Sequence, residues 1–197
     1  MEKKKSAIAL YGIENQSEVD DKMPFRIIGY DGTAYRSQLT DRRKNIVPVA
    51  SFVLYFGTRK HWSKKRTIKE FMKVPDELDA YINDYRINVI EVAWLTEEQL
   101  KMFKSDFGIV ANFFVQKRKN KDYRPDDQRE IQHVDAVLKL LSVMTKDDRY
   151  KDILCQPDKK KDEVKTMCEV AERLENKGRR EGMREGMRDA LRNLIQK

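Results

Sequence analysis

Long apolar runs are missing from this sequence. No stretch approaches the roughly 18–20 residues that a membrane-crossing helix requires. The apolar segment behind the basic start, MEKKKSAIALYG, is short and runs straight into Glu14, which makes a poor signal peptide. Cysteine is scarce. Cys155 and Cys168 are far apart and form no metal-ligand pattern, so they read as free thiols of a reducing cytoplasm. The two histidines, His61 and His133, have no second ligand type at metal spacing and read as structural. There is no glycine-rich phosphate loop and no Ser/His/Asp motif. Eight glycines and five prolines in 197 residues exclude collagen-like and low-complexity classes. What remains, 40% hydrophobic and 38% charged, describes a soluble globular protein with helices, long enough for one buried domain plus an appendage or for two small domains.

Charge of one sign is in excess. Lys and Arg number 41 against 33 acids, a formal net charge of +8. A basic balance points to a polyanionic partner such as DNA, but the distribution matters more than the sum. The positive charge is concentrated in blocks, RKHWSKKR (59–66) and QKRKNKDYR (116–124). Each is either a solvated surface or a set of phosphate contacts. In the first, Arg59, Lys60, Lys64, Lys65 and Arg66 are the candidate DNA-binding residues.

Periodicity gives an outline of the elements. SAIALYGIENQ (6–16) has the length and weak alternation of a strand, with Ile8, Leu10, Gly12, Glu14 and Gln16 on one side. Pro24 suits the first turn of a helix that places Phe25, Ile28 and Ala34 or Tyr35 at near-helical spacing. NIVPVASFVLYFG (45–57) is almost continuously apolar and predicts a central strand covered on both faces. TIKEFMKVPDEL (67–78) predicts a short helix, and RINVIEVAWL (86–95) another strand. Thr96 and Gln99 form a capping box, with helical periodicity continuing through LKMFKSDFGIVANFFVQKRK. Asp127, three residues before Glu130, reads as the cap of an amphipathic helix bearing Ile131, Val134, Leu138, Leu141 and Met144. From Lys159 the chain reads as one long charged helix, with Gly178, Gly182 and Gly186 on a stripe beside Met183, Met187, Leu191 and Leu194. Glycine is a poor helix former. The stripe therefore marks either close approach of a second helix or a fraying tail.

One spacing invites a chemical reading. Glu14 and Gln16 stand two apart on the first strand, and metal-dependent nucleases use such a pair. The acid holds Mg²⁺, which prefers oxygen ligands. The ion lowers the pKa of a bound water, and the group at i+2, usually Lys, positions it. The backbone carbonyl of Asn15 lies between them to complete the shell. Gln in place of Lys can orient water but brings no charge. E-x-Q by itself occurs on many half-exposed strands, so its context has to decide.

That context resembles a known family. GIENQSEVDDKMPFRIIGYDGTAYRSQL, PVASFVLYFGTRKHW and YINDYRINVIEVAWLTEEQLKMFKSDFGIV, in that order, are similar to the recombination-promoting nuclease / putative transposase family of the PD-(D/E)XK superfamily. The tail MCEVAERLENKGRREGMREGM is similar to the charged, Gly-bearing helix that ends such proteins. The resemblance implies an α/β restriction-endonuclease-like core with a mixed sheet over residues 1–120. A packed helical segment over 121–155 and a charged C-terminal helix over 156–197 would follow. It also implies Mg²⁺-dependent DNA cleavage linked to recombination. Glu14 would be the metal-binding acid and Gln16 would take the Lys position, with Arg26 and Tyr30 supporting the site or touching phosphate. Arg26 and Tyr30 read equally as a helix surface with a packed tyrosine.

The family pattern places an Asp upstream of Glu14, on a strand preceded by a helix. The thirteen residues before Glu14 contain no Asp and only one acid, Glu2. Asp20 and Asp21 fall in the following turn, off the expected route to a metal. The expectation is an N-terminally incomplete core with half a metal site and weak or absent cleavage. The alternative is a non-catalytic DNA-binding or oligomerisation remnant, self-associating through the C-terminal helix.

Overall fold

The computed structural model describes residues 8–40, 45–63, 65–155 and 164–195. They divide into two compact units, Met1–Trp94 and Leu95–Lys197.

The first unit is built on three strands, β1 (Leu10–Gln16), β2 (Val49–Tyr55) and β3 (Asn88–Glu91), in the order β1-β2-β3. Both pairings are parallel, so the mixed sheet expected from the resemblance is not formed among the described residues. In β2, Ser51, Val53 and Tyr55 are buried while the residues between them are half-covered. β2 is therefore central as expected, but fully covered on one face only.

The covering element is α1 (Met23–Thr40), which packs against β1 and β2. Pro24 lies in its first turn, where the missing N–H costs nothing. Its buried face is not the one expected. Met23, Ile27, Asp31 and Gln38 point inward, while Phe25, Ile28 and Tyr35 are exposed. Two polar residues on the inner face explain the shift. Asp31 accepts hydrogen bonds from the hydroxyls of Ser51 and Tyr85, and Gln38 exchanges two bonds with the backbone of Val47. Met23 and Ile27 complete the core with Val53, Tyr55, Trp62 and Ile87. Each fully buried side chain of this size contributes about 1.5–3 kcal/mol.

Two further expectations need correction here. Residues 67–78 form no single helix: a 3-10 turn at Lys69–Phe71 is separated by Pro75 from the short α2 (Asp76–Asp79). Met72 is extended, which ends the first turn, and Val74, as the residue before Pro75, avoids the helical region that would be needed to join the two. The strand expected over 86–95 narrows to β3, after which Val92–Trp94 turns into a 3-10 segment.

The second unit is helical among its described residues. Thr96 and Gln99 form the expected capping box at α3 (Glu97–Met102). Helical periodicity does not run on, however. The chain is extended at Phe103 and starts again as α4 (Asp106–Lys119). α5 (Val134–Thr145), α6 (Arg149–Leu154) and α7 (Met167–Ile195) follow. Asp127 does not cap α5, which begins seven residues later; its carboxylate holds Arg129 and Asn112. The carboxylate that binds the entry to α5 is Asp106, which accepts the backbone N–H groups of Gln132 and His133. The long C-terminal helix starts at Met167, and residues 159–163 of the expected helix lie outside the described residues.

Candidate functional site

Parallel strands end on the same side of a sheet, and side chains at paired positions share a face. Gln16 is paired with Tyr55, and Tyr55 with Glu91, so these three form one row across the carboxyl ends of the strands. Glu14, opposite Val53, lies one row inside it. The carboxyl side of such a sheet is where α/β proteins commonly bind ligands. Two polar clusters meet this edge about 10 Å apart, two strand spacings.

The first cluster gathers round Glu14. The alternation of β1 is as expected from Leu10 on, with Leu10, Gly12, Glu14 and Gln16 on the covered side and Tyr11, Ile13 and Asn15 exposed. Ile8, expected on the covered side, precedes the strand and is exposed. Glu14 Oε1 accepts from Gln16 Nε2 at 3.0 Å and from Arg26 Nη2 at 2.6 Å. Arg26 stands one turn into α1, and its Nη1 reaches Asp20 Oδ2 at 3.1 Å. Its Nη2 also lies 3.2 Å from the Tyr30 hydroxyl, four residues on. Asp20, expected to lie off the route to the site, is thus brought back to Glu14 by one shared guanidinium. The Tyr30 hydroxyl, Asp20 and Glu14 raise the Arg26 pKa further above its already high value. Arg26 therefore remains a fixed positive charge at any working pH.

These residues do not fit a Mg²⁺ site as they stand. Mg²⁺ needs near-octahedral oxygen ligands, commonly one or two carboxylates with substrate phosphate. Here both nearby carboxylates face a guanidinium, and Gln16 turns its NH₂ rather than its carbonyl toward Glu14. Among the described residues no three His, Cys, Asp or Glu side chains gather closely enough to hold a metal ion. The cation at the centre of this cluster is arginine.

The second cluster was not foreseen. Glu91 Oε2 lies 2.7 Å from His61 Nδ1 and accepts the Trp62 backbone N–H at 3.1 Å, while Oε1 accepts from Arg66 Nη2 at 3.1 Å. The His61 ring stacks on Trp94, with 3.6 Å between centroids. The signal available in the sequence was a lone acid inside the apolar run NVIEVAW, the same kind of signal as Glu14 in its own strand. Its partners stand some thirty residues earlier, and only the β2–β3 pairing reveals them.

The basic block is divided by this arrangement. Arg59 and Lys60 are exposed, and their side chains have no hydrogen-bond or ion-pair partner among the described residues. Lys65 lies over the Phe71 ring, and Arg66 is held against Glu91. Lys64 lies outside the described residues. In the second unit, Gly178, Gly182 and Gly186 face open space and Met183 and Met187 are exposed.

The chain is thus an α/β protein with a carboxylate–arginine cluster and a basic loop at the carboxyl edge of its parallel sheet. The family described as "Putative transposase, YhgA-like" matches residues 2–154, and the chain belongs to that family. No curated protein and no solved structure matches it. No helix among the described residues is long and apolar enough to cross a membrane.

Proposed function

We propose that this chain acts on DNA as a member of the transposase family, binding it at the carboxyl edge of the sheet with phosphodiester hydrolysis weak or absent. The resemblance to PD-(D/E)XK nucleases implies Mg²⁺-dependent cleavage through Glu14 and Gln16, with the Asn15 carbonyl in the metal shell. The observation that carries the impaired reading is the Arg26 guanidinium, shared between Glu14 and Asp20. It neutralises the acid that a metal would need. In this reading Arg26 and Tyr30 support the cluster. DNA affinity comes from the exposed cations of the 59–66 loop, chiefly Arg59 and Lys60.

The test is incubation of supercoiled plasmid with the protein in Mg²⁺ or Mn²⁺, alongside Glu14→Ala. The expected result is retarded but uncut plasmid for both proteins. Robust cleavage that disappears in Glu14→Ala would overturn the impaired reading.

A second reading, a DNA-binding or oligomerisation remnant, is favoured by the stripe of α7, where, among the described residues, three glycines face open space and two methionines are exposed. Small residues let a second helix approach closely. Deletion of residues 176–197 should then lower the mass measured by light scattering during gel filtration to that of a smaller assembly. An unchanged number of chains per particle would remove this reading.

A further inference from the structure

We infer that His61, backed by Trp94, is a stacking platform for an unpaired DNA base. The inference rests on the DNA-binding reading and adds to it a preference for single-stranded segments.

Three observations converge on this ring. One face of His61 lies on the indole of Trp94, yet 63% of the side chain remains in solvent. The ring orientation is fixed by two contacts, the indole on one face and the Glu91 carboxylate 2.7 Å from Nδ1. Glu91 is itself held by Arg66 and the Trp62 amide. A surface histidine needs no such support to be soluble. Held in this way, it offers a flat aromatic face at little further cost in side-chain entropy. Arg59 and Lys60 precede it directly and are exposed. A preordered aromatic face beside exposed cations is the combination that binds single strands, with the base stacking while the phosphate meets the cation. In a duplex the bases are stacked on each other, so only the cations would contribute.

The experiment compares fluorescence anisotropy of an oligothymidylate with that of an abasic strand of equal length. The proteins are the intact chain and its His61→Ala and His61→Phe variants. The intact chain should bind the thymidylate roughly tenfold more tightly than the abasic strand, the scale of one stacked base. His61→Ala should abolish most of that preference without changing abasic binding, and His61→Phe should retain it. Retention of the preference in His61→Ala overturns the platform, as does its loss in His61→Phe while both variants melt like the intact chain. If the intact chain binds both strands equally, and more weakly as salt rises, the platform fails and the DNA reading stands. If it binds neither strand, both fail.

Discussion

The guanidinium of Arg26 meets the carboxylate of Glu14 at 2.6 Å and, through its other terminal nitrogen, that of Asp20 at 3.1 Å. One side chain thereby ties the end of β1, the turn after it and the start of α1. With Arg26 39% and Glu14 23% exposed, the pair adds little to stability, within the 0–1 kcal/mol typical of surface ion pairs. Its consequence is chemical. Glu14 already faces a cation, the guanidinium of Arg26.

The division of the basic block predicts unequal effects on DNA binding. Charge reversal of Arg59 and Lys60 together should weaken binding and flatten the slope of log affinity against log salt by about 2, for two lost phosphate contacts. Arg66→Ala should instead lower the melting temperature, since Glu91 loses a partner in a half-buried site. Anisotropy over a salt series, with melting curves for each variant, separates the two effects.

Two glycine-to-alanine changes in the first unit should have opposite signs. A Cβ on Gly12 would clash with Ser51 Oγ, the hydroxyl that donates to Asp31. Gly12→Ala should therefore cost about 1–3 kcal/mol through overpacking. A Cβ on Gly29, within α1, meets nothing within 4 Å. Gly29→Ala should stabilise by up to about 1 kcal/mol, the helix-propensity difference. Urea unfolding measures both.

The contrast between these glycines shows what the sequence could and could not disclose. The alternation of β1, the proline at the start of α1, the apolar β2 and the Thr96–Gln99 box were legible because each is a local pattern. The inner face of α1 was not, because Asp31 and Gln38 occupy positions where an apolar residue would have marked it. Their partners, Ser51, Tyr85 and Val47, are supplied by other elements. Glu14, Gln16, Arg26 and Tyr30, named together from the resemblance, are joined by hydrogen bonds through Glu14 and Arg26. The return of Asp20 and the His61–Glu91–Trp94 group depended on a turn and on strand register, which spacing along the chain does not encode.

Acid should release the clamp between α4 and the entry to α5. Burial works against the charge of Asp106, but the amides of Gln132 and His133 and the His133 ring outweigh it and hold its pKa below the usual carboxylate value. Its contribution is thus complete above the ordinary carboxylate pKa and disappears as pH falls through the lowered one. Asp106→Asn should cost about 1–3 kcal/mol near neutrality. Melting curves of the two proteins should converge toward pH 2. A constant gap across that range would remove the carboxylate from the explanation.

The most direct test of the central claim is a Mn²⁺ titration followed by electron paramagnetic resonance. It compares the intact chain, Arg26→Ala, and Arg26→Ala combined with Glu14→Ala. Unit charges 4 Å apart interact by about 1 kcal/mol in water and about 4 kcal/mol at an effective dielectric of 20, so even a partly exposed guanidinium lowers the affinity for a second cation. Arg26→Ala should bind Mn²⁺ at least about tenfold more tightly than the intact chain, and the double variant should lose the gain. One tightly held Mn²⁺ per intact chain, unaffected by loss of Arg26 but abolished by Glu14→Ala, would contradict the exclusion of metal by Arg26.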